Sequence, residues 1–176
     1  MPIVCPDYKM MYFPVPKNAC SSIKNTLWVV NIGSEFAPFT YEGQEIRNIH
    51  QIYVSMRFSL DALAEKVPNW REYFRFAVVR DPVKRLLSAY RNRVLHHLEL
   101  SAEVIEKSQV KSPDLVPRPD FGHFVRHLEL YRKASRSIAH HTDPQKVFLG
   151  DRLDFYVHRN ISLGADYEAS VSGRRR

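Results

Sequence analysis

A chain of 176 residues with 44% hydrophobic and 26% charged residues can bury a sizeable core and has the balance of a soluble globular protein. Its formal net charge is +7, and removing the three tail arginines, Arg174, Arg175 and Arg176, leaves +4 on the body. That moderate excess favours an anionic small ligand and, with no long Lys/Arg block outside the tail, argues against nucleic acid. The two cysteines, Cys5 and Cys20, make no disulfide framework and fit no metal motif, which points to a reducing, cytoplasmic setting. Neither a secretory signal pattern nor an apolar run of about 18 residues is read, so no membrane partner is expected.

In chain order, residues 8–15 are apolar and aromatic, are bounded by prolines, and predict a buried strand. From Cys20 the pattern turns helical, with Cys20, Ile23, Leu27 and Val30 on one face and Gly33 as the stop. Residues 34–58 read as loop with one short element. Leu60 to Val67 predicts a short helix capped by Ser59 and ended by Pro68. Residues 73–79 form the second clear buried strand. Asp81 and Pro82 then start a helix whose core stripe is Val83, Leu86, Leu87, Tyr90 and Val94. Residues 108–119 read as exposed loop. Asp120 caps a further helix with Phe121, Phe124, Val125, Leu128 and Tyr131 inward. Residues 135–151 read as loop, and Asp154 to His158 as a last strand. Strands alternating with helices give an α/β fold with a mostly parallel central sheet flanked by helices, and in such sheets ligands gather beyond the carboxyl ends of the strands.

Two strand–loop–helix units carry the chemistry. The first supplies Lys17, Asn18, Ala19, Cys20, Ser21 and Ser22, and its helix N-terminus offers free backbone N–H groups to a sulfate or phosphate. It is not a Walker A loop, because no glycine occurs between Met1 and Asn31. The second places Arg80 at a strand end and Ser88 two turns into the next helix, a guanidinium and a hydroxyl suited to one phosphate. The pairs His96-His97 and His123…His127 lack a third ligand and are read as helix-surface residues, so no metal is expected.

Phe13-Pro14-Val15-Pro16-Lys17-Asn18-Ala19-Cys20-Ser21-Ser22-Ile23-Lys24 resembles the 5′-phosphosulfate-binding loop of the carbohydrate sulfotransferases. The stretch from Phe76 through Val79-Arg80-Asp81-Pro82 to Ser88 and Asn92 is similar to their 3′-phosphate-binding segment. His141-Thr142-Asp143-Pro144-Gln145 resembles a His-x-x-Pro-Gln segment of many members. The resemblance implies a P-loop-like three-layer fold. It implies transfer of the sulfuryl group of 3′-phosphoadenosine-5′-phosphosulfate (PAPS) to a hydroxyl of a carbohydrate or other small acceptor. Lys17 to Ser22 would hold the 5′-phosphosulfate, and Arg80 and Ser88 the 3′-phosphate. Displacement is expected in line at sulfur, with Lys17 meeting charge on the leaving oxygen and a base taking the acceptor's proton. His50 lies between the motifs, where many members place a histidine, and is the first candidate; His141, Glu42 and Glu45 are the others.

One sulfotransferase domain is expected over 1–169, short at its C-terminus, with a disordered basic tail at 170–176. A soluble, bacterial-type member is expected, with room for a homodimer. Two other readings stand beside it: a magnesium-dependent P-loop kinase or nucleotidase, and an inactive module that binds the product nucleotide PAP.

Overall fold

A computed structural model describes residues 2–56 and 59–149 and the backbone of 156–159. The chain divides into two compact units, Met1–Arg80 with Gln145–Arg176, and Asp81–Pro144.

The first unit is built on a four-stranded sheet in the order β1 (Ile3–Cys5), β2 (Met10–Phe13), β5 (Phe74–Val79), β6 (Tyr156–Arg159). The first two predicted strands are neighbours: β2 pairs parallel to β5, from Met10 beside Phe74 to Phe13 beside Ala77. β6 joins β5 in parallel, whereas β1, absent from the expectation, runs antiparallel to β2. Side-chain alternation sorts β2 between two faces. Met11 and Phe13 pack with Leu63 of α3 (Leu60–Lys66), Trp70 and Ala77. Tyr12 packs with Ile3, Cys5 and Leu27 of α1 (Cys20–Ile32). The start of α3 is as expected, with Ser59 Oγ accepting from the Ala62 N–H.

α1 ends where expected. Gly33, at φ 82°, donates its N–H to the Val29 carbonyl at 2.8 Å, a left-handed cap that favours glycine. Its buried face differs from the expected stripe. Val30 is 37% exposed, while Lys24, four residues after Cys20 and three before Leu27, is fully buried. The stretch 34–58 is more structured than expected. It holds a hairpin, β3 (Phe39–Tyr41) and β4 (Gln44–Ile46), joined through Glu42 and Gly43 at φ 48° and 77°. Positive φ at both central residues matches the twist of the strands. A one-turn helix, α2 (Ile49–Ile52), follows, and the Asn48 side chain accepts from the His50 N–H.

The second unit is helical. Asp81 caps α4 (Pro82–Ala89) through the Lys84 N–H at 2.9 Å, with Pro82 at the first position, as expected. Its inward face is not the expected one at the start: Val83 is 68% exposed, and Arg85 is buried with Nη1 donating to the Asp143 carbonyl. α4 continues as a π-helical segment over Tyr90–His96 and α5 (Ala102–Lys107) follows. Asp120 caps α6 (Phe121–Arg126), and α7 (Leu128–Ala134) follows after His127. Phe124 and Tyr131 are in the core beside Tyr90, Val94, Leu100, Leu115 and Ile138, but Val125 is 42% exposed. The 108–119 segment is not wholly exposed: Leu115 is buried, and the carbonyls of Val116 and Pro119 accept from the Tyr131 and Tyr90 hydroxyls. Residues expected as loop from 135 form α8 (Arg136–Thr142), capped by Ser135, and α9 (Lys146–Leu149), which belongs to the first unit. The sequence reading missed α8 because its apolar periodicity is carried by Ile138 alone among histidines and polar residues. Asp154 and the tail at 170–176 lie outside the described residues.

Candidate active site

Parallel pairing of β2 with β5 puts the carboxyl ends of both strands on one sheet edge. The segment Pro14–Ala19 leaves that edge from β2, and Arg80 leaves it from β5. The loop turns without glycine. Lys17 and Ala19 take left-handed φ values of 69° and 59°, a conformation that costs an L-residue roughly 1–2 kcal/mol. Surrounding bonds hold it there. The Asn18 side chain is fully buried, and its Nδ2 donates to the Val78 carbonyl of β5 at 2.8 Å and to Gln145 Oε1 at 2.5 Å. Gln145 also accepts from the Arg80 N–H at 3.0 Å and donates from Nε2 to the Arg80 carbonyl at 2.8 Å. Arg80 Nη1 reaches the Lys17 carbonyl at 3.3 Å. The loop of the first motif is thus tied to the strand end of the second.

The first α-helical bond runs from the Ile23 N–H to the Ala19 carbonyl, so the N–H groups of Cys20, Ser21 and Ser22 precede the helical ladder. With Lys17 and Arg80 at the same edge, the donor set is cationic and N–H-rich, which is the chemistry that holds a sulfate or phosphate. Among the predicted residues, the structure therefore brings together Lys17, Asn18, Ala19, Cys20, Ser21, Ser22 and Arg80. Ser88 is half-buried on α4 in the second unit.

His50 joins this group from α2. Its Nε2 lies 2.8 Å from Ser21 Oγ, and its Nδ1 lies 3.0 Å from Lys24 Nζ. Lys24 Nζ also donates to Ser55 Oγ at 2.9 Å. Burial lowers the pKa of Lys24, while the Cys20 thiol one turn earlier opposes the shift. The other base candidates are differently engaged. His141 belongs to the second unit, and its Nδ1–H donates to the Ser137 carbonyl at 2.8 Å. Burial pushes its pKa down to about 4, partly offset by that bond and reinforced by Arg93 and His140. Glu45 is exposed and paired with Arg47 at 2.6 Å, and Glu42 forms the hairpin turn.

Gln145, Lys24 and Ser55 were not among the predicted site residues. Gln145 stood in a segment already singled out, without a role. Lys24 had a signal in plain view: it falls on the same helical stripe as Cys20 and Leu27, where a charged residue needs a buried partner.

The profile of the Sulfotransferase family matches residues 2–161, and the chain belongs to that family. It is 28% identical to carbohydrate sulfotransferase 11 of Danio rerio over 92 residues, which are 52% of this chain and 25% of that protein. It is 29% identical to human carbohydrate sulfotransferase 10 over 94 residues, 53% of this chain and 26% of the relative. Mouse carbohydrate sulfotransferase 14 is 34% identical over 97 residues, 52% of this chain and 23% of the relative. The matched stretch thus spans about a quarter of the length of these relatives. No solved structure matches the chain significantly. Among the described residues no helix is long and apolar enough to cross a membrane.

Proposed function

We propose that this chain binds PAPS and transfers its sulfuryl group to a hydroxyl of a carbohydrate, on a P-loop-like three-layer α/β scaffold. The observation that carries the reading is the tie between the two motifs: Asn18 donating to the Val78 carbonyl, and Arg80 donating to the carbonyl of Lys17. Two cationic segments of separate sequence origin thereby share one sheet edge, as a nucleotide with phosphate groups at both ends of its ribose requires. Family membership supports sulfuryl transfer, and the names of the relatives support a carbohydrate acceptor.

In this reading the Lys17–Ser22 loop holds the 5′-phosphosulfate through backbone N–H groups and the Ser21 and Ser22 hydroxyls. The Lys17 ammonium meets the charge that builds on the bridging oxygen as the S–O bond breaks. Arg80 holds the 3′-phosphate. Ser88 keeps the same role on the strength of the motif alone. His50 takes the acceptor's proton, and its contact with Ser21 puts it beside the loop that holds the sulfuryl donor. Lysine, arginine and helix N–H groups supply the positive charge. The free, buried cysteines Cys5 and Cys20 fit a reducing compartment.

The test is calorimetry with PAP followed by transfer of labelled sulfate from PAPS to a panel of glycans. Binding is expected without magnesium, and transfer to at least one sugar. Lys17→Ala should cut kcat by about 10²-fold or more, the scale of losing one charge-stabilising donor. Nucleotide binding that requires magnesium, or PAP binding with no transfer to any acceptor class, would overturn the proposal.

A further inference from the structure

One buried charge is left without a task by this mechanism. Lys24 is fully buried, and its ammonium faces a histidine and a serine. We propose that Lys24 is a positioning residue for His50: it decides which ring nitrogen carries the proton, and it receives the Nδ1 proton as the ring takes the acceptor's proton at Nε2. The inference rests on the sulfotransfer reading of the site.

Donor and acceptor counts decide the ring's protonation. A charged lysine has three N–H donors and no acceptor. Opposite it, at 3.0 Å, Nδ1 of His50 must therefore present its lone pair. The neutral ring then carries its proton on Nε2 and donates to Ser21 Oγ at 2.8 Å. In that state His50 is a donor toward the loop and cannot act as a base. Removing one proton from the pair reverses the arrangement. Neutral Lys24 keeps its donor to Ser55, at 2.9 Å, and turns its lone pair to a proton on Nδ1. The Nε2 lone pair is then available.

The step balances. The acceptor O–H bond breaks and an Nε2–H bond forms. The Nδ1–H bond breaks and an Nζ–H bond forms. The oxygen's electron pair goes to sulfur, and the bridging S–O pair leaves with the nucleotide. The positive charge ends on Lys24 and must be lost to solvent before the next turnover. The surroundings resist this direction: burial, the larger effect, destabilises the ammonium, and the Cys20 thiol offsets only part of that. The groups facing Lys24 are His50 from α2, Ser55 from the following segment and Cys20 from α1 itself. β1, also packed on α1, contributes the Cys5 thiol, which bonds Asn31.

The sign follows. Rising pH strips the pair and converts Nε2 from donor to acceptor, so activity rises with pH through the pair's apparent pKa. The experiment uses the full chain and two readouts. Nitrogen-15 NMR of the His50 ring should show the Nε2–H tautomer at the low end of the range and the Nδ1–H tautomer at the high end. Lys24→Met should abolish that conversion. Lys24→Arg, which can donate to Nδ1 but cannot give up a proton, should hold the Nε2–H tautomer throughout. It should lower kcat by about 10²-fold, the scale of losing a general base, with KM for PAPS unchanged. A wild-type ring whose tautomer does not change with pH, or a Lys24→Met protein with the wild-type profile, overturns the proposal. The NMR arm needs no turnover. A chain that shows the tautomer switch but transfers no sulfate refutes the sulfotransfer reading and leaves the Lys24–His50 coupling standing.

Discussion

Gln145→Ala tests whether the two motifs are mechanically joined. The wild-type side chain makes three hydrogen bonds in the first unit, two to the backbone of Arg80 and one to Asn18. At about 1 kcal/mol net each, their loss costs about 3 kcal/mol. Two features reduce this. Asn18 keeps its bond to the Val78 carbonyl, and Arg80 is only half-buried, so water can reach part of its backbone. About 2 kcal/mol is expected. With a urea dependence of about 2 kcal/mol per molar, the unfolding midpoint should fall by about 1 M with no change in slope. PAP affinity should fall as well, since both the loop and Arg80 lose a tether. Gln145→Glu separates the two effects. It keeps both acceptor bonds, loses the donor to the Arg80 carbonyl and sets a carboxylate beside the proposed anion site. It should therefore hurt PAP binding more than stability. A Gln145→Ala protein with the wild-type midpoint and wild-type PAP affinity would show that the tie is incidental.

Arg80→Ala should weaken binding of PAP by about tenfold or more, the worth of one charged hydrogen-bonding group, and leave binding of the analogue without the 3′-phosphate nearly unchanged; isothermal calorimetry with the two ligands checks this, and equal losses for both would remove Arg80 from the 3′-phosphate. His141 predicts an acid limb of stability. Its folded pKa, down to about 4 from 6.5, means that the unfolded chain binds the proton more readily. Stability is full above pH 6.5 and is lost as pH falls toward 4. The span of 2.5 pH units corresponds to roughly 3 kcal/mol at most. Urea unfolding at pH 7 and pH 4.5 should show His141→Gln losing less stability on acidification than wild type, and equal losses would refute the assignment.

Much of this arrangement was legible in the residues, for local reasons. β2, β5, the start of α4 and both ends of α1 rest on short-range signals: apolar runs, an Asp-Pro start, a glycine stop. What escaped depended on contacts across the chain. β1 is three residues long and exists because β2 offers it an edge. The hairpin at 39–46 rests on a two-residue turn whose first member, Glu42, is an uncommon choice for positive φ. The inward faces of α4 and α6 were misjudged at Val83 and Val125 because an apolar residue can stay exposed at little cost, whereas Arg85 goes inside once the Asp143 carbonyl receives it. Lys24 was passed over for the related reason that a buried lysine makes sense only once His50 and Ser55, far along the chain, are brought to it.

The missing glycines take on a different meaning once the loop is seen. Their absence excludes a Walker A loop, and it raises the question of how the chain turns sharply enough to aim backbone N–H groups outward. The structure answers with Lys17 and Ala19 in left-handed conformations, each carrying a strain that glycine would avoid. Glycine lowers that strain but leaves the loop free to take other shapes. Here the shape is imposed from outside, by Asn18 bonded to the Val78 carbonyl of β5 and to Gln145. The loop of the first motif therefore depends on the strand of the second. Separated by about 60 residues in sequence, the two motifs are one structural unit, and a chain that kept either alone would lose the geometry of both.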